Sequence, residues 1–338
     1  MKFDVTIMQG DLNAVPDLAR QIEGLGFAGM WTTETAHNPF FPLTLAASAT
    51  QRILLGTAIA VAFPRSPLIT AYAAWDLAAQ SRGRFVLGLG TQVKAHIRRR
   101  FSAEWSKPAP RLREYILAMR AIWRSWQTGE PLDFRGEFYQ HTLMTPFFAP
   151  APLDWPDIPV YIAGVNPRLC QVAGEVCQGF HVHPFHTVDY LREQIIPNIE
   201  RGAAKAGRTR ADVALNCAIF VATGRNAQEI QAAAGQVKMQ IAFYASTYSY
   251  RPVLEQHGWG EIGDRLGLLA RQGDWAAMAG LIPDEMLEAC AVVAPVDELA
   301  GRVRARYEGL LDRVGYYYPF VPGERDDVWR NALEVFGT

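Results

Sequence analysis

Several groups of residues have the types and spacing to do chemistry. Glu34 and His37 stand close together behind a short apolar run. A carboxylate beside an imidazole that titrates near neutral pH can hold or pass a proton. Gly88, Leu89, Gly90, Thr91 and Gln92 end another apolar run that starts at Phe85. Glycines there leave backbone amides bare, so a flat or charged ligand can approach closely. His181 and His183 alternate, with His186 just beyond. On a strand the first two would share a face, and imidazoles suit zinc and similar ions. With no adjacent carboxylate, the reading is no metal, and His183 lining a ligand pocket.

The elements that must position these residues follow from periodicity. Phe3, Val5 and Ile7 alternate with polar neighbours, which predicts a strand over residues 3–9. Val15, Leu18, Ile22 and Leu25 recur at helical spacing behind Pro16. Further strands are expected over residues 27–34, 53–61, 85–89, 160–163, 179–183, 213–222 and 290–294. Helices are expected over 43–49, from Leu68 to Ala79, over 111–127, 167–176 and 188–206, and from Val296 to Leu310. A hairpin turning at Gly136 and a proline-rich loop interrupt the beat within a first insertion, residues 93–157. A second, largely helical insertion is expected over residues 226–286, before the eighth strand.

Strands alternating with helices predict an α/β chain folded as a (β/α)₈ TIM barrel, a single domain over residues 1–338 whose site lies at the strand C-terminal ends. Composition agrees. With 338 residues and 49% apolar side chains the chain can bury a large core. A formal charge of −1 gives no basic excess for nucleic acid. No apolar run approaches the ~20 residues that span a bilayer. Cys170, Cys177, Cys217 and Cys290 are scattered, as expected of reduced core thiols in a cytoplasmic protein.

The stretches LGTAIAVAFPRSP, SRGRFVLGLGTQVKAHIRRRF, FRGEFY and AGEVCQGFHVHPF, in this order, resemble the bacterial luciferase-like superfamily. They are most similar to its branch of coenzyme F420-dependent oxidoreductases. The resemblance implies a deazaflavin, or in the alternative FMN, at the barrel mouth. It places a non-proline cis peptide at Ala58–Ile59 behind the ring, and Gly88, Gly90, Thr91 and Gln92 beside it. Ala163, Gly164, Val165 and Thr187 would meet the cofactor and its phosphate, with His183 lining the pocket.

In many relatives an acidic residue directly precedes an active-site histidine; here Thr35 follows Glu34 and the histidine comes at His37. His37 is the expected proton partner, with Glu34 supporting it. Sugar-phosphate dehydrogenases of the superfamily carry a carboxylate close to position 93, where this chain has Val93, which argues against that substrate. Phe40, Phe41, Phe63 and Trp105 are expected walls for an apolar substrate. Arg98, Arg99 and Arg100 are either a solvated helix face or an attraction for an acidic cofactor tail. Tyr244, Tyr248 and Tyr250 are either insertion core or a lid. The activity implied is hydride transfer between coenzyme F420 and a small organic molecule, in a homodimer. An FMN-dependent monooxygenase and a non-catalytic flavin-binding barrel are the alternatives.

Overall fold

A computed structural model describes residues 1–8 and 10–337; Gln9, the last residue of the expected first strand, lies outside them. Eight parallel strands close into a barrel: β1 (Lys2–Ile7), β2 (Gly29–Thr32), β3 (Leu54–Thr57), β4 (Phe85–Gly90), β5 (Val160–Gly164), β6 (Gly179–Val182), β7 (Ala214–Gly224) and β8 (Arg313–Tyr316). Each pairs with the next, and β8 returns to β1. Strand-to-helix turns are set by local signals. Ser66, Asn166 and Thr187 cap the helices that follow with their side-chain oxygens, and proline opens two of those helices.

The barrel expected from the sequence is the one observed, with one strand reassigned. The run expected to be the eighth strand is a strand, Ala291–Pro295, but it does not close the ring. It pairs with Phe220 to Gly224, the upper half of the long β7. The closing strand is Arg313–Tyr316. This four-residue run was hidden between a helix end and a tyrosine cluster, whereas the richer AVVAP run carries the stronger strand signal. The expected third strand also divides. β3 ends at Thr57, and Ala60–Val61 pairs separately with β4.

The barrel interior is layered, because side chains along a strand alternate inward and outward. One layer holds Trp31, Val86 and Tyr161, with His181 edge-on to Trp31 at 5.0 Å. Below it, Asp4 takes both arms of the Arg313 guanidinium (2.7 and 2.6 Å) and the Trp31 indole N–H (2.9 Å). This pair is almost fully buried and its lone pairs are used, the condition under which a buried ion pair is tolerated. One alternation above the Trp31 layer, four inward positions are small, Ala58, Gly88, Ala163 and Ala218, and Gly90 follows one alternation higher. Ala58, Ala163 and Ala218 keep partial exposure, so the barrel opens at its C-terminal end into a recess floored by aromatic rings.

Among the described residues no helix is long and apolar enough to cross a membrane.

Candidate active site

The rim of the recess is shaped by a cis peptide between Ala58 and Ile59, at the position the resemblance implied. Its surroundings are tied down by Glu34. That carboxylate accepts the Val61 N–H at 2.6 Å and both arms of Arg65, each at 2.8 Å. Arg65 in turn donates to the Val61 carbonyl at 2.9 Å, and the Glu34 N–H reaches the Ile59 carbonyl at 3.3 Å. The pair is mostly withdrawn from solvent, with side chains 8% and 18% exposed. Charge-assisted, two-armed contacts in such a setting fix geometry as well as energy. Glu34 therefore joins the end of β2 to the segment that follows β3.

Across the rim, Gly90 faces this segment. A Cβ there would stand 2.6 Å from the Ile59 side chain. Gly88, one alternation deeper, serves packing: a Cβ would fall 1.8 Å from the Thr57 carbonyl oxygen. Its own N–H and carbonyl are both bonded to the Thr57 hydroxyl. Thr91 is buried, and Gln92 adopts φ +57° with its side chain accepting the Val93 N–H.

On the opposite side, Ala163 and Gly164 end β5 and Val165 follows it. The Tyr190 hydroxyl donates to the Val165 carbonyl at 2.9 Å, and Thr187 accepts the Tyr190 N–H at 3.1 Å. Tyr190 so brings the Val165 and Thr187 turns together. The Thr187 hydroxyl also meets His257 Nε2 at 2.8 Å, a contact from the second insertion that sequence reasoning missed. Two helix starts, capped by Asn166 and Thr187, lie at this end of the recess. Such ends favour anions, because their first N–H groups lack partners within the helix.

His183 projects inward at the end of β6. Its Nδ1 accepts the Phe185 N–H at 3.1 Å, and its Nε2 lies 3.1 Å from the Tyr250 hydroxyl. Tyr244 packs edge-on against the same ring at 4.5 Å and shares a short hydroxyl contact with Tyr317. Burial holds His181 and His183 at about 3 and His186 at about 4, so all three rings are neutral near pH 7. His186 turns away from the recess toward Cys217 and Tyr307. Among the described residues no group of three His, Cys, Asp or Glu is placed to hold a metal ion.

The remaining expected residues are spread out. His37 is exposed on the loop after β2, and Arg100 anchors that loop by donating to the Thr35 carbonyl. Phe40 is buried, with Arg65 5.6 Å from its ring, and Phe41 is 59% exposed. Phe63 is buried between Arg111 (4.5 Å) and Trp105 (5.8 Å). Arg65, Tyr250, Tyr317 and His257 carry much of the site's order. Tyr250 stood out in the sequence only as insertion core or lid, and the partner of each of these residues is brought near only by folding.

The comparisons with known proteins identify the family to which this barrel belongs. A family model described as "Luciferase-like monooxygenase" matches residues 2–313; the chain belongs to this family of enzymes. An uncharacterized protein of Mycobacterium tuberculosis is 49% identical over 314 residues, covering 93% of this chain and 92% of that one. The F420-dependent glucose-6-phosphate dehydrogenase of Rhodococcus hoagii is 33% identical over 190 residues, 54% of each chain. Among solved structures, the coenzyme F420-dependent tetrahydromethanopterin reductase of Methanopyrus kandleri has the same fold. Its TM-score is 0.80 at 23% identity, covering 99% of this chain and 98% of that one.

Proposed function

We propose that this enzyme moves a hydride between coenzyme F420 and an organic substrate, with the cofactor ring in the recess. The observation that carries the reading is the Ala58–Ile59 rim, clamped by Glu34 and Arg65 and facing Gly90, with the small, partly exposed Ala163 at the same mouth. That arrangement fits a flat ring: larger side chains at those positions would fill the space it needs. A bound deazaflavin supplies a ring carbon that gives or takes hydride.

The chain's own residues do the rest. Ala58 and Ile59 support one face of the ring, and Gly90, Thr91 and Gln92 border its edge. Gly164, Val165 and Thr187 receive the phosphate at the paired helix starts. Glu34, fully engaged by Arg65 and Val61, positions the rim, while His37 stands on the loop at its solvent side. Trp105 and Phe41 wall the substrate, with Phe63 and Phe40 backing them. Val93 leaves out the carboxylate that sugar-phosphate dehydrogenases carry, which turns the reading away from that substrate. A homodimer belongs to the reading as well: Ile69, Phe147 and Phe148 are 59, 89 and 62% exposed, apolar surface that a second copy would cover.

A fluorescence titration of the purified protein with coenzyme F420 and, in parallel, FMN tests the cofactor. Micromolar binding of F420 with weak FMN binding is expected. The reverse preference favours the oxygen-activating chemistry of a flavin monooxygenase, and binding of neither overturns both.

A further inference from the structure

Tyr250 comes from the second insertion, yet its hydroxyl ends at the barrel mouth on His183. The direction of that hydrogen bond is fixed. Because His183 Nδ1 accepts the Phe185 N–H, the neutral ring carries its proton on Nε2 and donates it to Tyr250 Oη, 3.1 Å away. The phenol oxygen is thus an acceptor from His183, and its own proton is left to donate. Of the three tyrosines grouped here, Tyr244 and Tyr317 share one hydrogen bond through their hydroxyls, and Tyr250 is the one whose oxygen bonds His183 at the strand end.

The setting suits a proton donor. Rings surround the pair: Tyr244 lies 4.5 Å from His183 and 5.5 Å from Tyr250, and Phe185 is edge-on to Tyr250 at 6.0 Å. The ionisable groups acting on the pair are His186 and Tyr244; neither is a carboxylate that would take the proton. Burial raises the Tyr250 hydroxyl above its ordinary range, so it keeps its proton at neutral pH.

We infer that Tyr250 donates the proton to the substrate oxygen in the reaction proposed above, that His183 is its positioning residue, and that the substrate is a carbonyl compound. The inference rests on that reading, because the hydride must come from the reduced deazaflavin. As hydride reaches the carbonyl carbon, the C=O π pair moves to oxygen, and that oxygen takes the Tyr250 proton. The phenolate left behind is held by the His183 Nε2–H and recovers a proton from water. The balance is one carbonyl, one hydride and one proton giving one alcohol. For a conjugated enone the same donor serves the enolate oxygen.

The test uses the full-length protein with reduced F420 and a panel of cyclohexanone, benzaldehyde and 2-cyclohexenone, read as single-turnover reoxidation of the coenzyme. Tyr250→Phe is expected to bind F420 as the wild type does and to lose about 10²–10⁴-fold in rate, together with the solvent isotope effect. His183→Gln keeps an N–H and is expected to recover part of what His183→Ala loses. Independently of turnover, ¹⁵N NMR of the histidine ring is expected to show an Nε2-protonated His183 whose shift moves in Tyr250→Phe.

Wild-type protein that fails to bind F420 fells the reading above and this inference with it. Binding with an unaltered rate in Tyr250→Phe fells this inference alone, as does an Nδ1-protonated His183. Binding with no turnover of any member of the panel overturns the carbonyl assignment.

Discussion

Glu34 and Arg65 meet through parallel contacts of 2.8 Å each, and the same carboxylate takes the Val61 N–H. One ion pair thereby fixes both sides of the Ala58–Ile59 rim. Arg65→Ala would leave the carboxylate buried without its cation, at a cost of about 3–5 kcal/mol. Denaturant unfolding should show that loss, and F420 affinity should fall at least about tenfold, or 1.4 kcal/mol. Glu34→Gln keeps an oxygen for Val61 but not the charge, so a smaller loss in both measurements is expected.

Gly88→Ala should be among the most damaging single-atom additions in the chain. Its Cβ would stand 1.8 Å from the Thr57 carbonyl oxygen and 2.7 Å from His181 Nε2, and a backbone oxygen inside a closed barrel cannot step aside cheaply. Loss of soluble expression or a large fall in Tm is expected. The nearest neighbours of a Cβ in Gly90→Ala are side-chain atoms of Ile59, at 2.6 and 2.8 Å, and no backbone atom. This variant should fold, with the loss showing in cofactor titration.

Acid should destabilise the protein through its buried histidines. His181, His183 and His186 hold folded values of about 3, 3 and 4, against about 6.5 when unfolded. Between those limits the unfolded chain binds more protons, so stability is fully present above pH 6.5 and is lost as pH falls toward 4. From pH 7 to pH 5 the three together are worth on the order of 5 kcal/mol. Urea midpoints at both pH values check this, and His186→Asn should remove about a third of the slope.

The contact between Thr187 and His257 predicts a link between the second insertion and the phosphate end of the recess. His257→Ala should weaken F420 more than the same deazaflavin lacking its phosphate. Equal weakening of both would place His257 outside the phosphate's reach.

Much of this was legible in the chain itself. The apolar strand runs, the helical periodicity between them and the glycines of β4 announce a barrel, because periodicity and backbone freedom are local. The position of the closing strand was not legible. Arg313–Tyr316 owes its place to Asp4 and to the edges of β1 and β7, not to its own composition. The same holds at the site. Glu34 stood out by type, but its partner Arg65 did not, and the pairing of His183 with Tyr250 spans 67 positions. What escapes a reading of the sequence is which distant side chain completes each local one.

The ion pair between Asp4 and Arg313 joins residues 309 positions apart, and it has a consequence for how the molecule is born. At synthesis rates of about 5–20 residues per second, Asp4 leaves the ribosome roughly 15–60 s before its partner exists. Until then β1 has no neighbour on its β8 side, and the barrel stands as an open, curved sheet with an exposed edge. The ring can shut only when nearly the whole chain has emerged. A nascent chain stalled before Arg313 is therefore a target for chaperones rather than a smaller version of the enzyme.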